Sequence, residues 1–315
     1  MSVLRAFRVG VVGAGRSRNG VGEHLARFLH AAGTRVVAVA GSSADSAARA
    51  AQALAERHGI DARPYDHVPR MIEDARLDAL VIASPDATHG PCLRQALAAG
   101  VHALCEKPLL ALEGEFVAEG ERLVAAFAER GLCLAVNAQW RFALATYLLL
   151  FPDVEPRAAR SFAMAMAPPA TGREMIASAM PHPLSLLDHL FPDAPSGLRD
   201  VRVEQPSPER ARVTFTHPGR GGIACDVRLA TSMAPPRPAS LAFDGHAAAR
   251  VIREPGYRFA LRTEEGGGRE VPLPDPMETL VKRFVATVRK GPPFPPDPAI
   301  VPGLRHLHDL LDRWP

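Results

Sequence analysis

Aromatic residues are scarce in this sequence, at 6% of 315 residues with two tryptophans and three tyrosines. A surface that binds nucleic acid by stacking needs aromatics interleaved with a basic stripe. Here the arginines are scattered, the net charge is only +3, and nucleic-acid binding is not expected. Cysteine is also sparse: Cys92, Cys105, Cys133 and Cys225 lie far apart in apolar surroundings. They form no CxxC pair and no zinc spacing, so they read as buried residues of a reducing compartment, and no metal is expected. Long apolar runs are missing too. None approaches the roughly 20 residues that span a bilayer, and "MSVLRAFRVGVVGAG" enters a strand without the charged start and apolar stretch of a signal peptide. The expectation is a cytoplasmic protein with no membrane partner.

What is present is apolar residue in quantity, 47% of the chain, enough for a sizeable core in two domains. Up to about residue 137, short apolar runs alternate with amphipathic stretches. "FRVGVVGAG" is a strand buried on both faces, and "GEHLARFLHAAG" a helix closed by Gly33. "TRVVAVAG", "LDALVIASP" and "VHALCEKP" continue the strands. Strand and helix in steady alternation predict right-handed crossovers and a doubly wound parallel sheet. From about residue 159 the period becomes two. In "GIACDVRLAT", Ile223, Cys225, Val227 and Leu229 share one face, with Asp226 and Arg228 on the other. That alternation suits an antiparallel sheet covered on one side. The expected fold class is α/β, with domains at 1–137 and 138–315, the second α+β and ending in a proline-stiffened arm and helix over 290–315.

"GVVGAGRSRNGVGEHL" closes the first strand and opens the first helix. Gly13 and Gly15 supply two glycines of GxGxxG, but Arg18 takes the third place, and the spacing is recovered only through Gly20 and Gly22. Glycines there let the backbone approach a pyrophosphate, whose charge the helix N-terminus favours. The end of the second strand reads "AGSSADS", so Gly41, Ser42 and Ser43 occupy the place where NAD enzymes carry an acid for the ribose. The serines, with Arg16 and Arg18 in the glycine loop, favour NADP over NAD. Both arginines also read as solvated loop residues.

Ligands of open parallel sheets bind beyond the carboxyl ends of the strands. Lys107, in "LCEKPLL", lies there, and "SPDATH" (Ser84, Pro85 to His89) ends another strand on the same edge. Pro108 biases Lys107 toward an extended conformation, and a lysine so placed can pass the proton that accompanies hydride transfer. "DALVIASPDATH", then "AGVHALCEKPL", then "WRF" resemble the glucose–fructose oxidoreductase and inositol dehydrogenase (Gfo/Idh/MocA) family. The resemblance is strong from about residue 8 to 142 and only architectural beyond. It implies an N-terminal NAD(P)-binding Rossmann domain, a catalytic Lys107 with Glu106 on the cofactor side, and an open antiparallel sheet in the second domain. Ser84, Pro85 and His89 join the expected cofactor-binding set.

The family's DxGxH stretch, with a further aspartate three residues on, corresponds to "SAMPHPLSLLDHLF". His182 matches the histidine as a second proton carrier, whereas Ser178 and Ser185 stand where the aspartates would be. Pro183 suits a first helical position, which would put His182 at a helix N-terminus that keeps its ring neutral. Asp188 and His189 read as a solvated face. Arg141 and Arg173 are candidates for binding an anionic or hydroxyl-rich substrate, and equally for structural roles. His306 and His308, two apart on a helix, cannot share a face and are not a metal pair.

These residues predict an NAD(P)-dependent oxidoreductase acting on a small polar, sugar-like carbonyl or alcohol, assembled as a homodimer or higher oligomer through its sheet domain. Two alternatives stay open: a non-redox enzyme that uses tightly held NAD, and a dinucleotide-binding sensor that has lost catalysis.

Overall fold

The computed structural model describes residues 6–15, 20–253, 258–264 and 268–315. It separates into two compact units, Met1–Asn137 with Met277–Asp297, and Ala138–Pro276 with Pro298–Pro315.

The first unit alternates strand and helix in the order β1 (Arg8–Val12), α1 (Gly22–Ala31), β2 (Arg35–Ala40), α2 (Ala44–His58), β3 (Arg63–Tyr65), α3 (Val68–Asp74), β4 (Ala79–Ile82), α4 (His89–Ala99), β5 (His102–Cys105), α5 (Phe116–Glu129) and β6 (Leu134–Val136). All the pairings are parallel, and the strands lie in the order β3-β2-β1-β4-β5-β6. This is the doubly wound arrangement that the alternation predicts. β1 and β4 are central, and Val9, Val11, Ala79, Leu80, Val81 and Ile82 are fully buried. α1 turns Gly22, Leu25, Ala26 and Leu29 inward, the i, i+3, i+4, i+7 spacing of an amphipathic helix. Three-residue β3 was not legible in the sequence: "RPY" is mostly exposed and has no apolar run to mark it.

The second unit begins with a 3-10 turn at Gln139–Ala143, followed by α6 (Leu144–Leu150), β7 (Ser161–Met166), α7 (Glu174–Ala179), α8 (Pro181–Leu190), β8 (Arg199–Ser207), β9 (Arg210–His217), β10 (Ile223–Ala230), β11 (Ala239–Phe243), β12 (His246–Arg253), β13 (Arg258–Thr263) and β14 (Glu270–Leu273). Its sheet runs β14-β13-β12-β11-β7-β10-β9-β8. The pairings are antiparallel except that of β7 with β10. That one departs from a purely antiparallel expectation because β7 and β10 are joined by a long crossover through α7, α8 and the β8–β9 hairpin. β10 alternates as its sequence demands: Ile223, Cys225, Val227 and Leu229 are buried, whereas Ala224, Asp226, Arg228 and Ala230 face outward. On the outer face the Asp226 carboxylate accepts from Arg212 at 3.0 and 3.1 Å and from Arg228 at 3.0 Å. On the inner face buried Tyr147 of α6 donates its hydroxyl to His246 O at 2.6 Å and accepts from Phe243 N at 3.2 Å.

The chain then forms α9 (Pro276–Lys290) and α10 (Ile300–Leu311). The expected second domain, 138–315, ran unbroken; the segment from Met277 to Asp297 instead packs in the first unit. There Arg289 donates to Ala32 O at 3.3 Å and to Gly33 O at 2.7 Å, satisfying carbonyls at the C-terminal end of α1 that no intrahelical donor reaches. Phe294 packs edge-on against the His102 ring at 5.2 Å.

All four cysteines are buried. Burial pushes the Cys92 and Cys133 thiols up to about 11 and Cys225 up to about 12, and lifts Cys105 well above the ordinary thiol range. Only thiolate attacks a disulfide reagent. With an aromatic disulfide reagent at pH 8, the native chain should therefore release almost no chromophore, and all four thiols should react once denaturant is added. The same shifts mean that the unfolded chain ionises first. Stability should fall as pH climbs from the unfolded thiol value of about 8.5 toward 11, which urea midpoints across that range would measure.

Candidate active site

At the turn after β1 backbone lies close against backbone. Gly13 has φ +86°, and a Cβ there would stand 2.7 Å from both Ala83 O and Ser84 N at the end of β4. A side chain at this position would prise β1 from β4 at the point where the strand order reverses, the usual ligand crevice of such sheets. Gly22 does the work of the third glycine: its Cβ would lie 2.7 Å from Gly13 O, so only glycine lets α1 start so close to the turn. The N-cap of α1 is Val21, and among the described residues no side chain caps this helix. Its first-turn N–H groups therefore carry the partial positive charge that suits an anion. Glu23, in that first turn, is tied to Arg57 at 3.0 Å and to His58 at 2.9 Å. Partial burial raises the Glu23 carboxyl, but the hydrogen bonds from His58 and Arg57 outweigh it and hold the group below its ordinary value. Arg16 and Arg18 lie outside the described residues.

At the end of β2 the two serines divide. Ser43 caps α2: its Oγ accepts from Ser46 N at 3.2 Å, and Ser46 Oγ accepts in return from Ser43 N at 3.0 Å. Gly41 is confined by the same pair, since a Cβ would lie 2.3 Å from Ser46 Oγ. Ser42 is exposed.

The carboxyl ends of β4, β5 and β6 are linked by a series of hydrogen bonds. Glu106 N donates to Ile82 O at 2.8 Å, and Asn137 N to Cys105 O at 2.8 Å. Asn137 Nδ2 donates to the Glu106 carboxylate. The His89 ring spans the gap on the other side, with Nδ1 2.8 Å from Pro108 O and Nε2 3.0 Å from Ser84 O. Ser84 Oγ is engaged with Thr88 Oγ1 at 2.6 Å. Pro108, Leu109 and Leu110 are buried, whereas Glu106 and Lys107 are half-buried and Pro85 to Thr88 are exposed. The apolar flank thus fixes the loop, and its two charged residues remain at the accessible edge. Gly13, Ser84, His89, Glu106 and Lys107 are all brought to this edge. Asn137 joins them without having been singled out; its signal was a polar residue directly after the β6 run, the position that Glu106 holds after β5.

The remaining candidates belong to the second unit. His182 is half-buried in α8, but not at an open helix N-terminus as expected. Pro181, not Pro183, takes the first position. Met180, with φ −64° and ψ −26°, carries helical backbone straight from α7 into α8. Prolines at both 181 and 183 also remove two of the N–H groups that would have projected there. Ser185 donates its hydroxyl to His182 O at 3.1 Å, so the stand-in for the second aspartate is spent on its own helix. Ser178 is half-buried and Arg173 exposed. The Arg141 guanidinium carbon stands 5.1 Å from the Phe142 ring centre.

Asp188 corrects the sequence reading most. Expected on a solvated face, it is only 3% exposed and meets two buried histidines from distant segments. His217 Nε2 stands 3.0 Å from Asp188 Oδ1, and His306 Nδ1 stands 3.1 Å from the same oxygen, off the line of an ideal hydrogen bond. These three ligand atoms lie within 4.8 Å of one another, close enough to suggest a metal. The outer ring nitrogens argue otherwise. His217 Nδ1 accepts from Gly219 N at 3.2 Å, and His306 Nε2 accepts from Gly197 N at 3.4 Å. Each neutral ring therefore carries its proton on the nitrogen facing the carboxylate. Ligating a metal there would move that proton outward against a backbone N–H, the reverse of the acceptor a ligating histidine needs. The cluster holds the end of β9, α8 and α10 together.

A family model described as the oxidoreductase family's NAD-binding Rossmann fold, Gfo/Idh/MocA, matches residues 7–138. Inositol 2-dehydrogenase 4 of Saccharopolyspora erythraea is 36% identical over 128 residues, 38% of this chain and 36% of that protein. The dTDP-3,4-didehydro-2,6-dideoxy-alpha-D-glucose 3-reductase of Streptomyces violaceoruber is 37% identical over 136 residues, 42% of this chain and 36% of that one. The chain thus matches little more than a third of the length of these relatives. Among solved structures, UDP-N-acetylglucosamine 3-dehydrogenase from Acidithiobacillus ferrooxidans aligns at a TM-score of 0.70 and 23% identity, covering 98% of this chain and 97% of the other. A 3-ketoreductase from Actinomadura kijaniata, solved with TDP-benzene and NADP, aligns at 0.71 and 20%, covering 97% and 96%. At such identities the likeness is one of fold.

Truncating Asp188 to alanine would leave the buried His217 N–H without its acceptor and remove the carboxylate facing His306. The unfolding free energy should drop by about 1–3 kcal/mol, the cost of leaving a buried donor unsatisfied. Asp188→Asn, which keeps an acceptor oxygen, should cost less. Urea denaturation of the full chain measures both, and EDTA should leave the wild-type midpoint unmoved.

Proposed function

Residues 7–138 belong to the Gfo/Idh/MocA oxidoreductase family, and from that premise we propose that this chain is an NAD(P)-dependent oxidoreductase. It moves hydride between a nicotinamide and a small sugar-like carbonyl or alcohol. The observation that carries the proposal is the placement of Lys107. Its flank is buried and hydrogen-bonded, and its ammonium belongs to the same sheet edge as the glycine turn and the uncapped start of α1. When bound, the dinucleotide supplies or takes up the hydride. The backbone of Gly13 to Gly15 and the first turn of α1 would hold its pyrophosphate. Lys107 passes the accompanying proton at the substrate oxygen, and Glu106, held by Asn137, sits next to it on the cofactor side. His182, in the second unit, is the second proton carrier. Relatives of the matched segment are named as inositol dehydrogenases and a nucleotide-sugar reductase, which supports a hydroxylated substrate.

NADP is the proposed cofactor. No carboxylate stands at positions 41 to 43, and with the Ser43 hydroxyl committed to capping α2, the exposed Ser42 supplies the other hydroxyl. Self-association is proposed through the outer face of the second sheet, where small residues such as Ala163 and Ala224 flank the Arg212–Asp226–Arg228 ion cluster.

Lys107→Met keeps much of the stem but removes the transferable proton. Turnover with the best substrate from a panel of sugars, polyols and keto compounds should fall by roughly two to four orders of magnitude. Cofactor affinity should hardly change, and His182→Ala should cost less than Lys107→Met. Near-normal turnover in Lys107→Met would sink the proposed proton route. In calorimetric titration NADPH should bind at least several-fold more tightly than NADH, and Ser42→Asp should reverse the order by setting a carboxylate against the 2′-phosphate. Light scattering at micromolar concentration should show a dimer or larger.

A further inference from the structure

His89 poses a problem of proton count. Its ring is 1% exposed, and each nitrogen lies at hydrogen-bond distance from a backbone carbonyl: Nδ1 2.8 Å from Pro108 O and Nε2 3.0 Å from Ser84 O. A carbonyl oxygen only accepts, so each contact is a hydrogen bond only if that nitrogen carries a hydrogen. A neutral imidazole has one N–H. It would satisfy one carbonyl and press a lone pair against the other. Imidazolium satisfies both, with charge-assisted bonds. Burial opposes the charge, as does the place of His89 as first residue of α4. The ring nevertheless holds each nitrogen at a carbonyl oxygen.

We infer that His89 is a buried imidazolium that clamps the β4–α4 connection to the loop after β5, and is thereby the positioning residue for Lys107. The assignment of a role to Lys107 rests on the proposed function; the charge state of His89 does not. The clamp has a definite mechanical sense. Ser84 lies two residues past the end of β4, and Pro108 is the residue after Lys107. On the other side of Lys107, Glu106 N is bonded to Ile82 O, also of β4. The backbone on both flanks of the lysine is therefore fastened to one strand and its connection. Gly90, next to His89, completes the fit: a Cβ there would meet Leu110 Cδ2 at 3.2 Å. The ring does not serve the cofactor through its nitrogens, because both are already at carbonyls.

The full chain labelled with 15N-histidine tests the charge directly. At pH 8, above the ordinary histidine value of about 6.5, two-bond proton–nitrogen correlation spectra should show one ring with both nitrogens protonated, and this signal should vanish in His89→Gln. A His89 signal with one unprotonated nitrogen overturns the inference. If His89→Gln does not fold, neutron diffraction from wild-type crystals locates the ring hydrogens without a variant. For the positioning role, His89→Ala should lower kcat roughly tenfold to a hundredfold, as a misplaced catalytic group does. The dinucleotide Kd should stay within about twofold, against that tenfold or greater loss of rate. His89→Gln, which keeps one donor, should recover part of the loss, and adding His89→Ala to Lys107→Met should cost nothing further. A weakened Kd with unchanged kcat, or additive losses in the double variant, would refute the positioning role. An inert Lys107→Met would instead count against the proposed function and leave the spectrum of His89 to decide its charge.

Discussion

Gly13 has no side chain, and the carboxyl edge of the parallel sheet is built on that. With φ +86° and a virtual Cβ 2.7 Å from Ala83 O and Ser84 N, it lets the turn after β1 lie directly on the end of β4. Gly22 extends the same contact to the start of α1. Two consequences follow from this one clearance. The uncapped helix start is brought to the point where the strand order reverses, and the β4 end becomes a fixed edge from which other groups can be hung. A methyl group at either glycine would have to displace backbone, which cannot yield as the tip of a long side chain can.

From that edge the polar side chains work mainly on backbone. His89 reaches two carbonyls, Ser84 and Thr88 pair with each other, and Asn137 engages Glu106. Buried polar groups are costly unless paired, and these pairings turn that cost into rigidity, since each bond ties one strand end to the next. Lys107 and Glu106 are left half-buried at the rim, held from below by Pro108, Leu109 and Leu110. A general acid–base group needs that combination of fixed backbone and accessible head.

The second unit uses charge differently. Its outer sheet face pairs Arg212 and Arg228 with Asp226 in contact with water, where each pair contributes little to stability. Among the described residues its interior holds a single buried carboxylate, Asp188, against two imidazoles from segments 29 residues after and far beyond it in sequence. The interior contacts join α8 to the end of β9 and to α10.

The sequence by itself determined what is local or periodic. Alternating apolar runs and helical spacing marked the doubly wound sheet, the period of two in "GIACDVRLAT" set the inward and outward faces of β10, and the glycine turn and Lys107 could be placed at strand ends. The resemblance carried by "CEKPL" named the family that residues 7–138 match. Tertiary structure decided what depends on partners remote in the chain. Asp188 reads as solvated until His217 and His306 are brought to it. The carbonyls of Pro108 and Ser84 meet the His89 ring from positions 19 residues after and 5 before it. Ser43 is seen to cap α2 only once Ser46 is placed beside it, and residues 277–297 read as part of the second domain until Arg289 is found on the end of α1. Hydrophobic periodicity records only whether a position faces core or water on average. A buried polar side chain is fixed by the one or two atoms that satisfy it, and no neighbouring residue need record where in the chain those atoms lie.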